Sequence, residues 1–374
     1  MAARMSRSEF ANILMWVSRA LPARPTTPAL AGIRLVIKDG VLTASAFDYE
    51  QSTAGTLPVT GPDMEGLVSG RLLTDVIKSL AGQDVTMDIT ADGSRLTLES
   101  GRSRFALPLM STADYPDLPA VPAALGTVTG SVLADAVRCT TAAAGTDNAL
   151  PVLTAISVHA NPSTGILTLA ATDRYRLATT KLSYTPAEDL TEEMTFLIPA
   201  KVLESYTKAF ADADQITVHH GGDTNALFGV TGENRTATTR LLDGQFPAYE
   251  PLIPTTFAAT AVVDRVDLIG AVRRVMLVAE RTQALRLVFD TGTLDITFGD
   301  AKTANQSAAE NIECDFTGDE EMAISFNPAY LIDGLAHIST ETVNIGLVAP
   351  GKPALLTADS PTDVYRYLLM PTRA

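Results

Sequence analysis

The stretch Leu169-Ala-Ala-Thr-Asp-Arg-Tyr-Arg-Leu177 joins an apolar, strand-like run to a polar turn. An echo of it, Ala44-Ser-Ala-Phe-Asp-Tyr-Glu50, lies 125 residues earlier, and a fainter one, Ile296-Thr-Phe-Gly-Asp300, follows it. Self-similarity at a fixed period is the signature of repeated structural units. The stretch therefore predicts a repeated architecture.

Longer segments repeat at the same period. Ile33-Arg-Leu-Val-Ile-Lys-Asp-Gly-Val-Leu42 is matched by Leu285-Arg-Leu-Val-Phe-Asp-Thr-Gly-Thr-Leu294 at an offset of 252, with a middle copy at 156–167. Each unit has a second half that opens with a short helix, near residues 69, 199 and 328. Pro-rich stretches at 118–122 and 247–254 mark boundaries. We predict three domains, at residues 1–120, 126–250 and 256–374.

Each half unit is predicted to contain a helix and hairpin-linked strands. Turn residues at Asp39-Gly40 and Asp92-Gly93 separate alternating runs. The apolar face of the second helix is predicted to comprise Leu72, Leu73, Val76, Ile77 and Leu80. The first-half helices are predicted to begin at Ser8, Ser131 and Asp267. The fold class is α+β, with helices packed on one face of antiparallel sheets.

Composition excludes several classes of protein. The 374-residue chain has a formal charge of −15, which argues against coating nucleic acid with the whole surface but leaves a local basic stripe open. Cys139 and Cys314 are not a spaced pair, so we expect a reducing compartment, the cytoplasm. No apolar run reaches the roughly 18 residues that a membrane span needs.

Basic residues recur two helical turns apart on the second-half helices. Arg71 and Lys78 align with Lys201 and Lys208, and such spacing places both cations of a pair on one polar face. DNA phosphates would explain this stripe, but an ordinary solvated surface explains it equally well. The third unit has Tyr330 and His337 there, and further basic candidates are Arg24 and, more weakly, Arg138, Arg273 and Arg274.

No catalytic constellation emerges from the sequence. The four histidines are scattered, which argues against a metal site. The common phosphate-loop, dinucleotide and hydrolase signatures are missing. Acidic pairs such as Asp212 and Asp214 are interpreted as solvated loops, with a metal-dependent nuclease kept as a remote alternative. Cys139 beside Arg138 is interpreted as packing rather than as a reactive thiol. No catalytic residue, metal or cofactor is expected.

The chain resembles the β sliding clamps of bacterial DNA polymerase III over essentially its whole length. The resemblance rests on five motifs: Ala-Thr-Asp-Arg-Tyr-Arg-Leu-Ala at 171–178, Arg24-Pro-Thr-Thr-Pro28, Gly101-Arg-Ser-Arg-Phe-Ala-Leu107, Leu241-Leu-Asp-Gly-Gln-Phe-Pro247 and Tyr367-Leu-Leu-Met-Pro-Thr-Arg373. It implies three clamp domains per chain and two chains joined head to tail in a ring, with helices lining the hole and sheets outside. It also implies a non-enzymatic processivity factor.

The resemblance further implies partners and site residues. Partners are duplex DNA, a second copy of the chain, the polymerase III alpha subunit, the clamp loader, other clamp-motif peptides and small-molecule pocket inhibitors, without a membrane. The implied peptide pocket comprises Leu153, Thr172, Arg174, Tyr175, Arg176, Leu177, Pro247, Leu252, Leu368, Met370, Pro371 and Arg373. Apolar residues would anchor a peptide there, with polar groups at the rim.

Two further surfaces complete the expectation. Phe105 and Leu107 match the ring-closing strand, opposite Met276 and Leu277. The DNA-facing set comprises Arg24, Arg71, Lys78, Lys201 and Lys208. Arg174 stands where many clamps have Gly, a variant similar to the actinobacterial form. The sequence leaves open whether this is a principal clamp or a diverged second copy that acts as a scaffold for peptides or inhibitors.

Overall fold

The chain divides into two compact units in the computed structural model, which describes residues 2–222, 226–278, 284–299, 306–360 and 362–372. Unit 1 comprises Met1–Leu133, Tyr184–Leu190 and Ser205–Leu241, and unit 2 comprises Ala134–Ser183, Thr191–Glu204 and Leu242–Ala374. Each unit contains one long antiparallel sheet. The second of the three repeats is therefore split between the two sheets.

The helices are short and amphipathic. Among the described residues they are α1 (Arg7–Val17), α2 (Gly70–Ser79), α3 (Gly130–Thr141), α4 (Ala200–Lys208), α5 (Arg265–Val275) and α6 (Pro328–Leu335). Side-chain caps begin three of them: Ser6 on α1, Asp264 on α5 and Asn327 on α6 each accept a hydrogen bond from a first-turn N–H.

The sheet of unit 1 has the order β1-β6-β7-β8-β5-β2-β3-β4-β17-β16-β15-β9-β13. Numbered in chain order, its strands are β1 (Ala3–Ser6), β2 (Gly32–Lys38), β3 (Val41–Phe47), β4 (Gln51–Pro58), β5 (Met64–Ser69), β6 (Asp84–Ile89), β7 (Arg95–Ser100), β8 (Ser103–Met110), β9 (Ala124–Val128), β13 (Thr185–Pro186), β15 (Ile216–His220), β16 (Leu227–Gly232) and β17 (Arg235–Arg240). The first repeat and half of the second thus share one sheet.

The sheet of unit 2 has the order β14-β10-β11-β12-β25-β24-β23-β18-β21-β20-β19-β22. Its strands are β10 (Ala155–Asn161), β11 (Ile166–Thr172), β12 (Arg176–Ser183), β14 (Met194–Pro199), β18 (Ala259–Asp264), β19 (Leu285–Asp290), β20 (Gly292–Phe298), β21 (Ala308–Phe316), β22 (Met322–Phe326), β23 (Thr342–Leu347), β24 (Ala354–Ala358) and β25 (Arg366–Leu369). The other half of the second repeat is continuous with the third.

Successive repeats are joined by a strand pair of the same kind. β4, the third strand after the helix of a first half, pairs with β17, the third strand after the helix of a second half. β12 and β25 hold the same two positions one repeat later, and they also pair. Two strands of these ranks lack such a partner in the described chain: β8 pairs with β5 only through Leu109 and Met110, and β21 pairs with β18 only through Asp315 and Phe316. The remaining lengths of both strands present an open edge.

Large side chains fill each unit between helices and sheet. In unit 1, Trp16 packs edge-on against Phe210 and tilts onto Tyr206, and all three are at most 2 % exposed. In unit 2, Phe289 stacks on Phe316 within a cluster that spans α5, α6 and their strands. Such burial, worth about 25 cal/mol per Å² of apolar surface, holds the helices on one face of each sheet.

The predicted fold class and helix positions are confirmed, with corrections at particular residues. Leu72 is 43 % exposed, because Leu73, Val76 and Ile77 already fill the buried side of α2. The predicted starts at Ser8 and Asp267 are wrong: Ser6 and Asp264 cap these helices, and α3 begins at Gly130, which puts Ser131 inside its first turn. None of the described helices is long and apolar enough to cross a membrane.

Candidate functional site

The turn between β11 and β12 is held by its own side chains. Asp173 Oδ1 accepts hydrogen bonds from the N–H groups of Tyr175 and Arg176, each at 3.0 Å. Thr172 Oγ1 accepts the N–H of Arg174 at 3.1 Å and donates to the carbonyl of Arg176 at 2.7 Å. These bonds hold Arg174 at φ +79°, a conformation that L-residues adopt at a cost of about 1 kcal/mol or more. The turn is thus a preorganised, strained platform.

Arg176 joins this platform to α6. Its Nε donates to Asp173 Oδ2 at 2.9 Å and its Nη1 donates to Asp333 Oδ2 at 2.6 Å. Its guanidinium also lies 4.2 Å from the centroid of the Tyr330 ring. The Arg176 and Asp173 side chains are only 12 % and 13 % exposed, so this pair is screened little by solvent. Arg176 therefore fixes the turn rather than presenting a free charge.

Tyr175 extends the platform outward. Its ring stacks on Tyr330 with centroids 6.3 Å apart, while the residue remains 56 % exposed. Its carbonyl accepts the N–H of Met370 at 2.9 Å, which ties the C-terminal segment to the turn. A cavity of about 280 Å³ opens beside it, and its walls include Leu153, Arg174, Tyr175, Arg176 and Tyr330.

An apolar cluster continues the site along the same strands. Leu177 on β12 lies opposite Leu368 on β25. Both pack with Leu355, and the three are at most 6 % exposed. Tyr249 and Ile253 pack on this cluster from the segment that precedes the third repeat. We call these five residues the anchor cluster.

Most of the predicted pocket residues come together within unit 2. The turn contains Thr172, Arg174, Tyr175 and Arg176, and Leu153 lines the cavity beside it. The anchor cluster contains Leu177 and Leu368, and Met370 lies in the C-terminal segment tied to the turn. Leu252 is 60 % exposed, Pro247 is also exposed, and Pro371 is half-buried. Arg373 lies outside the described residues.

The sequence-based prediction did not include Tyr249, Ile253, Leu355 and Asp333, and it gave Tyr330 no role in the pocket. Asp333 had one available signal, its position one helical turn after Tyr330.

The predicted DNA-facing cations are exposed. Arg71 and Lys78 lie on the outer face of α2, Lys201 and Lys208 lie two turns apart on α4, and Arg24 lies in the loop after α1. In the part of the chain that the structure describes, none of these five takes part in an ion pair. Their charge is free to attract phosphate groups.

Two of the three weaker basic candidates differ from this set because they form ion pairs. Arg138 pairs with Asp135 and contacts His337 Nδ1 at 2.9 Å, and Arg274 pairs with Glu310. Burial lowers the pKa of His337, as does the neighbouring Arg138, which favours the neutral imidazole. The third repeat therefore places no additional cation at the His337 position near neutral pH.

Two of the predicted ring-closing residues lie on the open-edged strand β8, and the other two follow helix α5. Phe105 on β8 is half-buried, whereas Leu107 is only 5 % exposed because it packs inward opposite Leu96. Met276 packs on the core of unit 2, and Leu277 is 83 % exposed. Phe105 and Leu277 therefore offer more apolar surface to a partner than the other two.

Two features of the described residues bear on catalysis: acidic, His and Cys side chains that could hold a metal ion, and the Cys139 thiol. Among the described residues, no group of three His, Cys, Asp or Glu side chains is placed to hold a metal ion. Burial raises the pKa of the Cys139 thiol to about 11, against the lowering that its neighbour Arg138 produces. Cys139 also packs against the core of unit 2, and a thiol with a raised pKa is a poor nucleophile near neutral pH.

Comparison with known proteins gives consistent matches along the chain. Models of the N-terminal, central and C-terminal domains of the DNA polymerase III beta subunit match residues 1–119, 127–248 and 250–373. The chain is 39 % identical to a beta sliding clamp of Streptomyces coelicolor, covering 100 % of this chain and 99 % of the relative. It is also 39 % identical to one of Micrococcus luteus, covering 83 % of this chain and 99 % of the relative. A sliding clamp of Pseudomonas aeruginosa, solved bound to griselimycin, superposes with a TM-score of 0.90 at 25 % identity, covering 100 % of both chains.

Proposed function

This chain belongs to the family of DNA polymerase III beta subunits, the bacterial sliding clamps, and on that premise we propose that it encircles duplex DNA and tethers a replicative polymerase to it. Tethering by topology needs no sequence-specific contact, so weak phosphate attraction is sufficient. The three domains are proposed at residues 1–120, 126–250 and 256–374.

Ring closure by a second copy of the chain is supported by the strand ranks at the junctions. The two junctions within the chain each pair a third strand of a first half with a third strand of a second half. β21 and β8 are the remaining strands of these ranks, and both have open edges among the described residues. Two chains arranged head to tail would pair β21 of each with β8 of the other. This observation carries the proposal.

The repeat also supplies a register for this seam. In the first repeat Gly55 lies opposite Ala44. Ile296, the equivalent of Ala44 in the third repeat 252 residues later, lies opposite Glu310. Glu310 is therefore the equivalent of Gly55. Gly55 pairs with Arg235, the first residue after a hairpin, and Ser103 holds that position on β8. Glu310 is therefore proposed opposite Ser103, which sets Ala309 opposite Arg104 and Ala308 opposite Phe105.

The faces of the two strands agree with this register. Phe105 shares the inward face of β8 with Leu107, and Ala308 packs against the core of unit 2 on the inward face of β21. Arg104 and Ala309 are both exposed on the outward faces. Residues directly opposite in an antiparallel pair must lie on the same side of the sheet, so burial supports this register over one shifted by a single residue.

The DNA-binding residues are proposed to be Arg24, Arg71, Lys78, Lys201 and Lys208. Exposed cations without ion pairs release counterions when they approach a phosphate backbone. They allow an acidic chain to hold DNA at a restricted surface while its net charge stays negative. Contacts to phosphate carry no sequence information, which suits a protein that slides.

The peptide pocket is proposed to comprise the 172–176 turn, the anchor cluster and the C-terminal segment. Its proposed ligands are docking peptides of the polymerase III alpha subunit, the clamp loader and other replication proteins. A small molecule such as griselimycin, which the Pseudomonas clamp binds, is proposed to compete for the same surface. The shape supports this assignment, since buried leucines adjoin a polar, hydrogen-bonded rim.

A processivity factor requires no catalytic residue of its own, and we propose none here. The cytoplasm, where the chromosome lies, is the proposed location. A diverged scaffold that binds peptides without DNA is the alternative, and it predicts that alanine at Arg71, Lys78 and Lys201 leaves function intact.

The decisive experiment loads the protein with a bacterial clamp loader and ATP onto a nicked circular plasmid. Gel filtration should recover the protein with circular DNA, and cutting the plasmid at one site should release it. Equal retention on circular and linear DNA would remove the topological proposal.

A further inference from the structure

A groove of about 650 Å³ lies on the outward face of the unit 2 sheet. We call it the flank groove. Its floor includes Thr179 and Lys181 of β12 and Arg366 at the start of β25, and Tyr249 and Ile253 form one wall. None of the predicted pocket residues lines it. The groove shares Tyr249 and Ile253 with the anchor cluster, and the rest of its lining lies beyond the assigned pocket.

The flank groove is a continuation of the anchor cluster. Side chains alternate along a strand, so Leu177, Thr179 and Lys181 share one face of β12. Thr179 lies opposite Arg366, two residues from the pair formed by Leu177 and Leu368. Tyr249 and Ile253 contribute to both the anchor cluster and the groove. From Leu177 to Lys181 the strand rises about 13 Å, the length of about four extended peptide residues.

Two cations line the groove beyond the anchor cluster, Arg366 beside Thr179 and Lys181 at the far end. Lys181 is exposed. Arg366 is also exposed, and it donates to the carbonyls of Asp363 and Tyr365, each at 3.4 Å. Neither forms an ion pair with a described residue. The carboxylate in the lining is Glu250, on the wall formed by residues 249–253.

Side chains on the opposite side of the groove contact a carboxylate that does not line it. The lining residue His159 lies 3.4 Å from a carboxylate oxygen of Glu193, and Asn161 donates to the same side chain. Glu193 is thereby engaged away from the cations. The two basic side chains are left facing the open groove.

We propose that the flank groove binds the residues of a partner chain that adjoin its apolar anchor, and that Lys181 and Arg366 select a carboxylate there. The proposal rests on the pocket assigned above and adds a specificity that the pocket lacks. The carboxylate comes from an acidic side chain or from the end of the partner chain, two sources with the same chemistry. An extended segment of about four residues spans the distance.

Fluorescence anisotropy with a labelled docking peptide of the polymerase III alpha subunit tests this proposal. The core peptide is compared with versions extended by about four residues at either end, carrying Asp or Asn, with the C-terminus free or amidated. Only one of the two extensions should reach the groove. For that end, the Asp peptide should bind about threefold to tenfold more tightly than the Asn peptide, as expected for two exposed ion pairs. If only the free C-terminus gives the gain, the terminal carboxylate is the ligand.

The variants Lys181→Ala and Arg366→Ala should abolish this gain and leave the affinity for the core peptide unchanged. Arg286→Ala, which removes an exposed cation from β19 of the same sheet, is the matched control and should retain the gain. Equal binding of Asp and Asn peptides by a wild-type protein that binds the core peptide would overturn the flank groove alone. Failure to bind the core peptide would overturn the pocket and the groove together.

Discussion

Cysteine substitutions of Arg104 and Ala309 test the ring-closing seam directly. Because these residues are proposed to face each other across two chains, Arg104→Cys with Ala309→Cys should give two disulfides per dimer. Both positions are solvent-exposed, so neither substitution removes core packing. The native Cys139 and Cys314 are first replaced by Ser and Ala, respectively, so that new bonds report only on the seam.

The expected geometry follows from the strand pairing. Directly opposite residues in an antiparallel pair have Cα atoms about 4.5 to 5.5 Å apart, within the range of about 4.4 to 6.8 Å that a disulfide spans. Moving one cysteine two residues along, to Asn311, keeps the same face but adds a rise of about 7 Å. The resulting Cα separation of about 8 Å is too long for a disulfide. Arg104→Cys with Asn311→Cys is therefore the matched control.

Oxidation followed by non-reducing electrophoresis should convert the Arg104 and Ala309 variant to a covalent dimer, and the control should remain monomeric. A dimer with both seams linked should also stay on nicked circular plasmid after denaturation and leave it when the plasmid is cut. If the control links as efficiently as the designed pair, the register is wrong. If neither links while size measurements give a dimer, the chains meet through another surface.

Three further predictions concern single sites. Leu368→Ala opens the anchor cluster and should weaken binding of the polymerase docking peptide at least tenfold in anisotropy, a loss of about 1.4 kcal/mol; unchanged affinity would contradict the pocket. Arg71→Ala with Lys78→Ala should reduce the slope of log affinity for DNA against log salt by up to about 1.8, whereas Lys38→Ala on an exposed strand position should not change it. The free energy of unfolding in urea should be about 0.5–1 kcal/mol higher for Arg174→Gly than for Arg174→Ala, since glycine accepts the positive φ but loses more entropy on folding. Equal free energies would mean that the turn is unstrained.

Local patterns in the sequence were sufficient to predict the repeated helices and hairpins. Helix and hairpin signals depend on residues a few positions apart, and both Asp39 and Gly40 adopt the positive φ expected of their turn. The exposure of Leu72 was missed because the apolar stripe of α2 is narrower than the run of apolar residues in its sequence. The helix caps were misplaced by two or three residues for a related reason, since several polar residues precede each helix and only geometry selects one.

The site was predicted less completely because it depends on long-range strand pairing. The 171–178 motif identified the turn, but Arg176 meets Asp333 across 157 residues of sequence. That contact exists only because β12 pairs with β25 and brings α6 beside the turn. The inward orientation of Leu107 likewise depends on which face of β8 the core of unit 1 covers. Spacing along one chain contains neither piece of information.

The unequal connectivity of the strand junctions has a mechanical consequence for a closed ring. At β4–β17 and β12–β25 the paired strands belong to one polypeptide, so strands that part there stay tethered and meet again at high effective concentration. At the proposed β8–β21 seam between two chains no covalent path joins the two edges. A machine that pulls on the ring would therefore separate it at these seams, where separation is least readily reversed. The position of the gate would be set by chain connectivity, without a dedicated hinge or latch.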